Sequence, residues 1–241
     1  MHRSAPRLTR ILACAAVPVM LVVAGCSSDS DSGSGTPDKG KDSASSAPSA
    51  QQSTKAPEPA KFAKLPEICK SISAKTTASL VPKAKAKNGT AAASSDTASR
   101  GGCSWNGLDD KGVKGSQYRW LDVSFYRYES DASLGSGEKR AQENFAKELA
   151  KVQATEGAKK LKTADSAGVG DEAKAVTYEL RKTGEDFTYA SVVARTGNVL
   201  VLLTYNGAGY AGADGPSDKT VLAGAVKASK EAVAAVAAAN K

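Results

Sequence analysis

Cysteine, histidine and paired carboxylates are the residues of this 241-residue chain with the most reactive side chains, and their positions remove most of that chemistry. The only histidine, His2, and Cys14 lie in an N-terminal leader. Once that leader is cut, Ser-His-Asp and Cys-His catalysis and His-ligated metal sites are excluded. Cys26 closes Val23-Ala24-Gly25-Cys26, small residues at a cleavage point followed by a thiol. This is a lipobox, in which the thiol takes a diacylglyceryl group. Cys69 and Cys103 then remain as an even pair in an oxidising space, and a disulfide between them is the expectation. Its loop includes 83–102, a Lys/Ala/Ser-rich stretch with almost no apolar content, expected as a flexible polar loop pinned at both ends.

What survives is carboxylate chemistry. Asp171-Glu172 is one pair, but neighbours entering a strand point to opposite faces, which argues against a glycosidase couple. Asp171 is expected to accept backbone N–H bonds in the turn formed by Gly168 and Gly170. Asp122 with Asp109 or Asp110 is a second, generic pairing. Gly168-Val169-Gly170 lacks the third glycine of a dinucleotide fingerprint, and no phosphate loop is present. The reading is therefore non-enzymatic, with no cofactor and no metal.

The elements that must position any site follow from the pattern. Arg3, Arg7 and Arg10 precede the apolar run 11–23, too short to span a membrane and of signal-peptide length. Residues 1–25 are thus a lipoprotein signal peptide. Residues 26–60 are the lipidated Cys and a Ser/Pro/Gly tether too poor in apolar residues to fold, averaging about 30–35 Å end to end. Residues 61–241 make one domain. Three leader arginines and three tether lysines leave this domain 27 of the 33 basic residues; five tether acids leave it 20 of the 25 acidic ones. These lysines are scattered without interleaved aromatics, so nucleic acid is not an expected partner.

Within the domain, a short helix before Pro82 leads to a strand at Gly102–Trp105. From Tyr118, Leu121, Val123 and Phe125 alternate with Trp120, Asp122, Ser124, Tyr126 and Tyr128. Ser136 caps a helix carrying Ala141, Phe145, Leu149 and Val152 as one stripe. Strands at 173–182, 187–195 and 199–205 form a meander through the turns at 183–186 and Gly197-Asn198, the last strand apolar on both faces and so central. An Ala/Val-rich helix, 217–240, closes the chain. The order α-β-β-α-β-β-β-α predicts an α+β fold: an antiparallel sheet of about five strands, covered by helices on one face, with one disulfide.

The leader, lipobox and tether are followed by Leu65-Pro66-Glu67-Ile68-Cys69, Arg100-Gly101-Gly102-Cys103-Ser104-Trp105 and Gly168-Val169-Gly170-Asp171-Glu172-Ala173. In that order they resemble the actinobacterial lipoproteins catalogued as domain of unknown function 3558, from roughly Leu65 to the C-terminus. The Gly-x-Gly-Asp-Glu step is also similar to one in the extracellular sensor domain of a mycobacterial Ser/Thr kinase. The resemblance implies a cell-envelope location and no established enzymatic activity. This chain departs from the family by the insert before Cys103 and by lacking a further Cys pair in its second half.

The expected role is a non-enzymatic binding or interaction domain, a sensor or scaffold held at the outer face of the cell membrane by its lipid anchor. Its partner is an envelope protein or a small ligand. A small-molecule, lipid or glycan carrier is the alternative, and a carboxylate-dependent cell-wall hydrolase a third reading. Trp120, Tyr126 and Tyr128, with Trp105 on the neighbouring strand, form the candidate ligand platform. The same rings packed as an ordinary second core stand against it. A concave pocket, as opposed to a flat patch, would separate ligand from protein partner.

Overall fold

The computed structural model describes residues 56–241. The leader 1–25, Cys26 and the tether to residue 55 lie outside the described residues. Seven strands form one fully antiparallel sheet: β1 (Thr90–Ala91), β2 (Arg100–Asp109), β3 (Ser116–Arg127), β4 (Lys159–Asp165), β5 (Glu172–Lys182), β6 (Glu185–Thr196) and β7 (Val199–Tyr210). Their spatial order is β1-β2-β3-β7-β6-β5-β4, with β7 at the centre. Three α-helices, α1 (Ala74–Leu80), α2 (Gly137–Gln153) and α3 (Asp218–Ala239), complete an α+β domain with the Cys69–Cys103 disulfide in place.

The expected meander is β5-β6-β7, and the strand apolar on both faces, β7, is central as its sequence required. Two strands exceed the expected five. β4 is Lys-Lys-Leu-Lys-Thr-Ala-Asp, an outer strand almost wholly exposed, with no apolar alternation to reveal it. Its lysines discourage pairing with another chain. β1 lies inside 83–102, where Thr90 and Ala91 pair with Ser104 and Cys103 and a bridge joins Ala84 to Gly107. That stretch is therefore ordered against the edge of β2. Backbone pairing, which is blind to side-chain polarity, holds it there.

Helices lie on both faces of the sheet, not on one. α3 follows an Ser217 cap and sets Val221, Ala225, Ala228, Ala232 and Val236 against Val192, Ala194, Val201 and Leu203. Small residues let it approach closely; a Cβ on Gly224 would sit 2.8 Å from Leu80 and 2.9 Å from Tyr205. α1 and the odd-numbered residues of β3 (Leu121, Val123, Phe125) share this layer. α2, capped by Ser136, lies on the opposite face, with Phe145, Leu149 and Val152 against Val193, Leu200 and Leu202. At 17 residues α2 is about 25 Å long, against about 40 Å for the 12-residue β3. It cannot cover its face of the sheet, and part of that face stays open.

Asn198, wholly buried in the β6–β7 turn, fixes where the chain enters the domain. Its Oδ1 accepts from the Phe62 N–H at 2.8 Å, and its amide donates to the carbonyls of Phe62 and Tyr128, each at 2.9 Å. Phe62 is thereby seated in the α3 layer.

Candidate functional site

The open part of the α2 face is a trough. In antiparallel pairs, directly opposed residues share a face. On β3, Tyr118, Trp120 and Asp122 stand on the α2 side; across β7 they oppose Ala208, Asn206 and Thr204. β6 adds Tyr189 opposite Asn206, and Ser191 opposite Thr204. With Phe187, Tyr210 and Lys182 at the rim, Tyr118, Trp120, Asp122, Tyr189, Thr204 and Asn206 line a trough of about 620 Å³, within the range of small-ligand sites.

The rings brace one another. Tyr189 stacks on Tyr178 with centroids 4.9 Å apart and planes 6° apart. Phe187 meets Tyr118 and Tyr210 edge-on at 5.9 Å and 6.4 Å. Lys182 Nζ sits 5.4 Å over the Tyr189 ring. Burial pushes the Tyr118 and Tyr178 phenols up from their ordinary values, so both are neutral hydroxyls at physiological pH.

Two polar groups face this aromatic wall. Asp122 is half-buried, and among the described residues no basic side chain pairs with it. Burial raises its carboxyl above the usual carboxylate range, and the Ser124 hydroxyl partly opposes the shift. A raised folded-state value means that the stabilising neutral form is present at low pH. It is lost as pH climbs through the ordinary range to the folded value, and at pH 7 the ionised group is a net cost. Asp122→Asn is therefore expected to keep or slightly raise the melting temperature at pH 7, on the order of 1 °C. It should also flatten the stability profile just above the ordinary carboxylate range; thermal melts across acid to neutral pH check both.

Asn206 is the second group. It is 6% exposed, lines the trough, and makes no side-chain hydrogen bond among the described residues. Asn198, wholly buried, makes three. The Asn206 amide is not cut off from solvent but reaches the water of the trough, so a ligand entering there must replace that water's hydrogen bonds.

The sequence-derived platform is thus partly assembled. Trp120 lines the trough. Tyr126, on the same face, lines a separate hollow of about 320 Å³ with Arg100 and Ser124. Tyr128 packs toward α2 with the Arg140 guanidinium 5.8 Å from its ring centre. Trp105 is a correction: it opposes Leu121, is 2% exposed, and belongs to the core on the α3 side, away from Trp120. Asp109 opposes Gln117 on that same side, and Asp110 caps the β2–β3 hairpin through Gly112 and Ser116, so neither joins Asp122. Sequence reading missed Asn206, Tyr189, Phe187 and Tyr210.

Gly168 and Gly170 take the left-handed backbone (φ 74° and 65°), and a Cβ on Gly170 would meet the Arg195 carbonyl oxygen at 2.4 Å. Asp171 does accept a backbone N–H, but from Gly197 in the β6–β7 turn, at 2.6 Å, and not from its own glycine turn. Its carboxylate and that of Glu172 both approach the Arg195 guanidinium, at 3.4 Å and 3.6 Å. These carboxylates brace a turn.

Comparison with family models, with curated proteins and with solved structures finds no match to this chain.

Proposed function

We propose that this chain is an exported actinobacterial lipoprotein, anchored through Cys26 at the outer face of the cell membrane, whose domain binds a small ligand in the aromatic trough without transforming it. The lipobox, the Ser/Pro tether and the ordered motifs from Leu65 onward support the location. The trough carries the binding reading, being concave, ringed by braced aromatics, and lined by the Asp122 carboxylate and the Asn206 amide, whose polar atoms are open to an incoming ligand. It favours a ligand over a protein partner, for which a flat apolar patch would be wanted. Asp122 is the one carboxylate lining the trough, so the paired acids of glycoside hydrolysis have no second member there.

The test is to express the full chain in an actinobacterial host and recover it from membranes in mild detergent. Wild type is expected in the membrane fraction with a diacylglyceryl mass on Cys26 and, by native mass spectrometry, with a retained small molecule. Cys26→Ser should move to the soluble fraction. Trp120→Ala/Asn206→Ala should stay with the membrane but lose the retained mass. A soluble wild-type protein refutes the anchor, and retention unaffected by the double substitution refutes the trough.

A further inference from the structure

The trough orders its groups in rows. Across the sheet, Trp120, Asn206 and Tyr189 are direct cross-strand neighbours on β3, β7 and β6, so the amide stands between two rings at strand spacing, about 4.8 Å to either side. One pleat along, Asp122, Thr204 and Ser191 form a second row, in which the two hydroxyls bond each other at 3.0 Å. This leaves Asp122 and Asn206 as the groups free to engage a ligand, on diagonal positions roughly 7–8 Å apart at the backbone.

Each class of ligand meets this arrangement differently. An apolar chain would strip the water from the Asn206 amide and from the Asp122 carboxylate and replace none of its hydrogen bonds. An anion would meet the Asp122 carboxylate. A cation would satisfy Asp122 but would meet the Lys182 ammonium that already sits over the Tyr189 ring. An uncharged polyol suits both groups: its hydroxyls donate to Asp122, and they donate to and accept from Asn206. If its polar groups lie around the rim of a ring, a C–H face is left to lie on Trp120.

We infer that the trough is a site for an uncharged saccharide, its ring face against Trp120, the braced Tyr189 forming the opposite wall, and neighbouring hydroxyls held by Asn206 and Asp122. The inference rests on the reading of the trough as a ligand site and names the ligand class.

Calorimetric titration of the full chain tests it. The probes are tetrasaccharides of glucose, mannose and N-acetylglucosamine, with phenyltrimethylammonium and decanoate as cationic and apolar controls. At least one tetrasaccharide is expected to bind, tenfold or more weaker in Asn206→Ala and in Asp122→Asn. Because Asn206 is buried, a variant counts only if its melting transition is retained, and the half-exposed Trp120→Ala supplies a third. Binding of a control with no tetrasaccharide bound overturns the saccharide while leaving the ligand site standing. Binding of none of the probes also overturns it, and the site is then decided separately by the retained-mass experiment. Saccharide binding unchanged in every folded variant overturns both.

Discussion

Replacing Asn198 with Ala is expected to lower the stability of the domain by about 3–5 kcal/mol, on the order of 10 °C in Tm. One truncation orphans three backbone groups, the N–H and C=O of Phe62 and the C=O of Tyr128, all bonded at 2.8–2.9 Å to a side chain with no exposed surface. An unpaired buried donor or acceptor costs about 1–3 kcal/mol, which is why three together outweigh the loss of one small side chain. The damage should be local in its first appearance. Phe62 leaves the α3 layer, and the lead-in segment is left to solvent-exposed bonds, Lys61 N–H to Glu138 and the Asn240 side chain on Ala63 and Lys64. Limited proteolysis at Lys61 and Lys64 should therefore accelerate before global melting. Asn198→Asp, which keeps the acceptor but sets a buried carboxylate oxygen against the Phe62 and Tyr128 carbonyls, should be at least as destabilising as Ala. A variant within about 1 kcal/mol of wild type would mean that water replaces these bonds at no cost.

The second large effect is expected from Cys69→Ala/Cys103→Ala. The bridge spans 34 residues and ties the segment before α1 to β2. Removing it frees the unfolded chain by about 3–4 kcal/mol of loop-closure entropy. Cys103 is 1% exposed within the core, and Ala leaves a small cavity that adds to the loss. Chemical denaturation of the double variant should show a lower midpoint, and β1, which pairs with Cys103 itself, should lose amide-exchange protection first. Equal stability with and without the bridge would show that strand pairing alone holds residues 83–102.

Much of the fold is legible in residue pattern. β3 alternates because one side meets a core and the other meets partial solvent, and the β5-β6-β7 meander is punctuated by glycine turns. β4 and β1 escape because an edge strand with both faces wet has no reason to alternate. Coverage of both faces escapes for another reason: the stripe Ala141, Phe145, Leu149, Val152 says that a helix packs, not on which side of a sheet.

The site follows the same logic. Trp120 is readable from β3 alone, whereas Asn206 and Tyr189 become its neighbours only through the β3–β7 pairing, which joins residues more than 80 positions apart. The placement of Trp105 had an available signal. Residues two apart on a strand share a face, so a Cys103 bonded to the helix-side segment carries Trp105 into the core with it. Asp171 accepts its backbone N–H from Gly197 instead of from its own glycine turn, across a register that local sequence does not encode.

The central claim is that ligand enters between Trp120, Asn206 and Tyr189. The most direct measurement follows the Asn206 side-chain amide and the two indole N–H resonances by nuclear magnetic resonance as a small-molecule extract of the producing cell's envelope is added. The account predicts shifts at Asn206 and Trp120 with Trp105, buried on the opposite face, unmoved. Shifts at Trp105 alone, or at neither site, would contradict it.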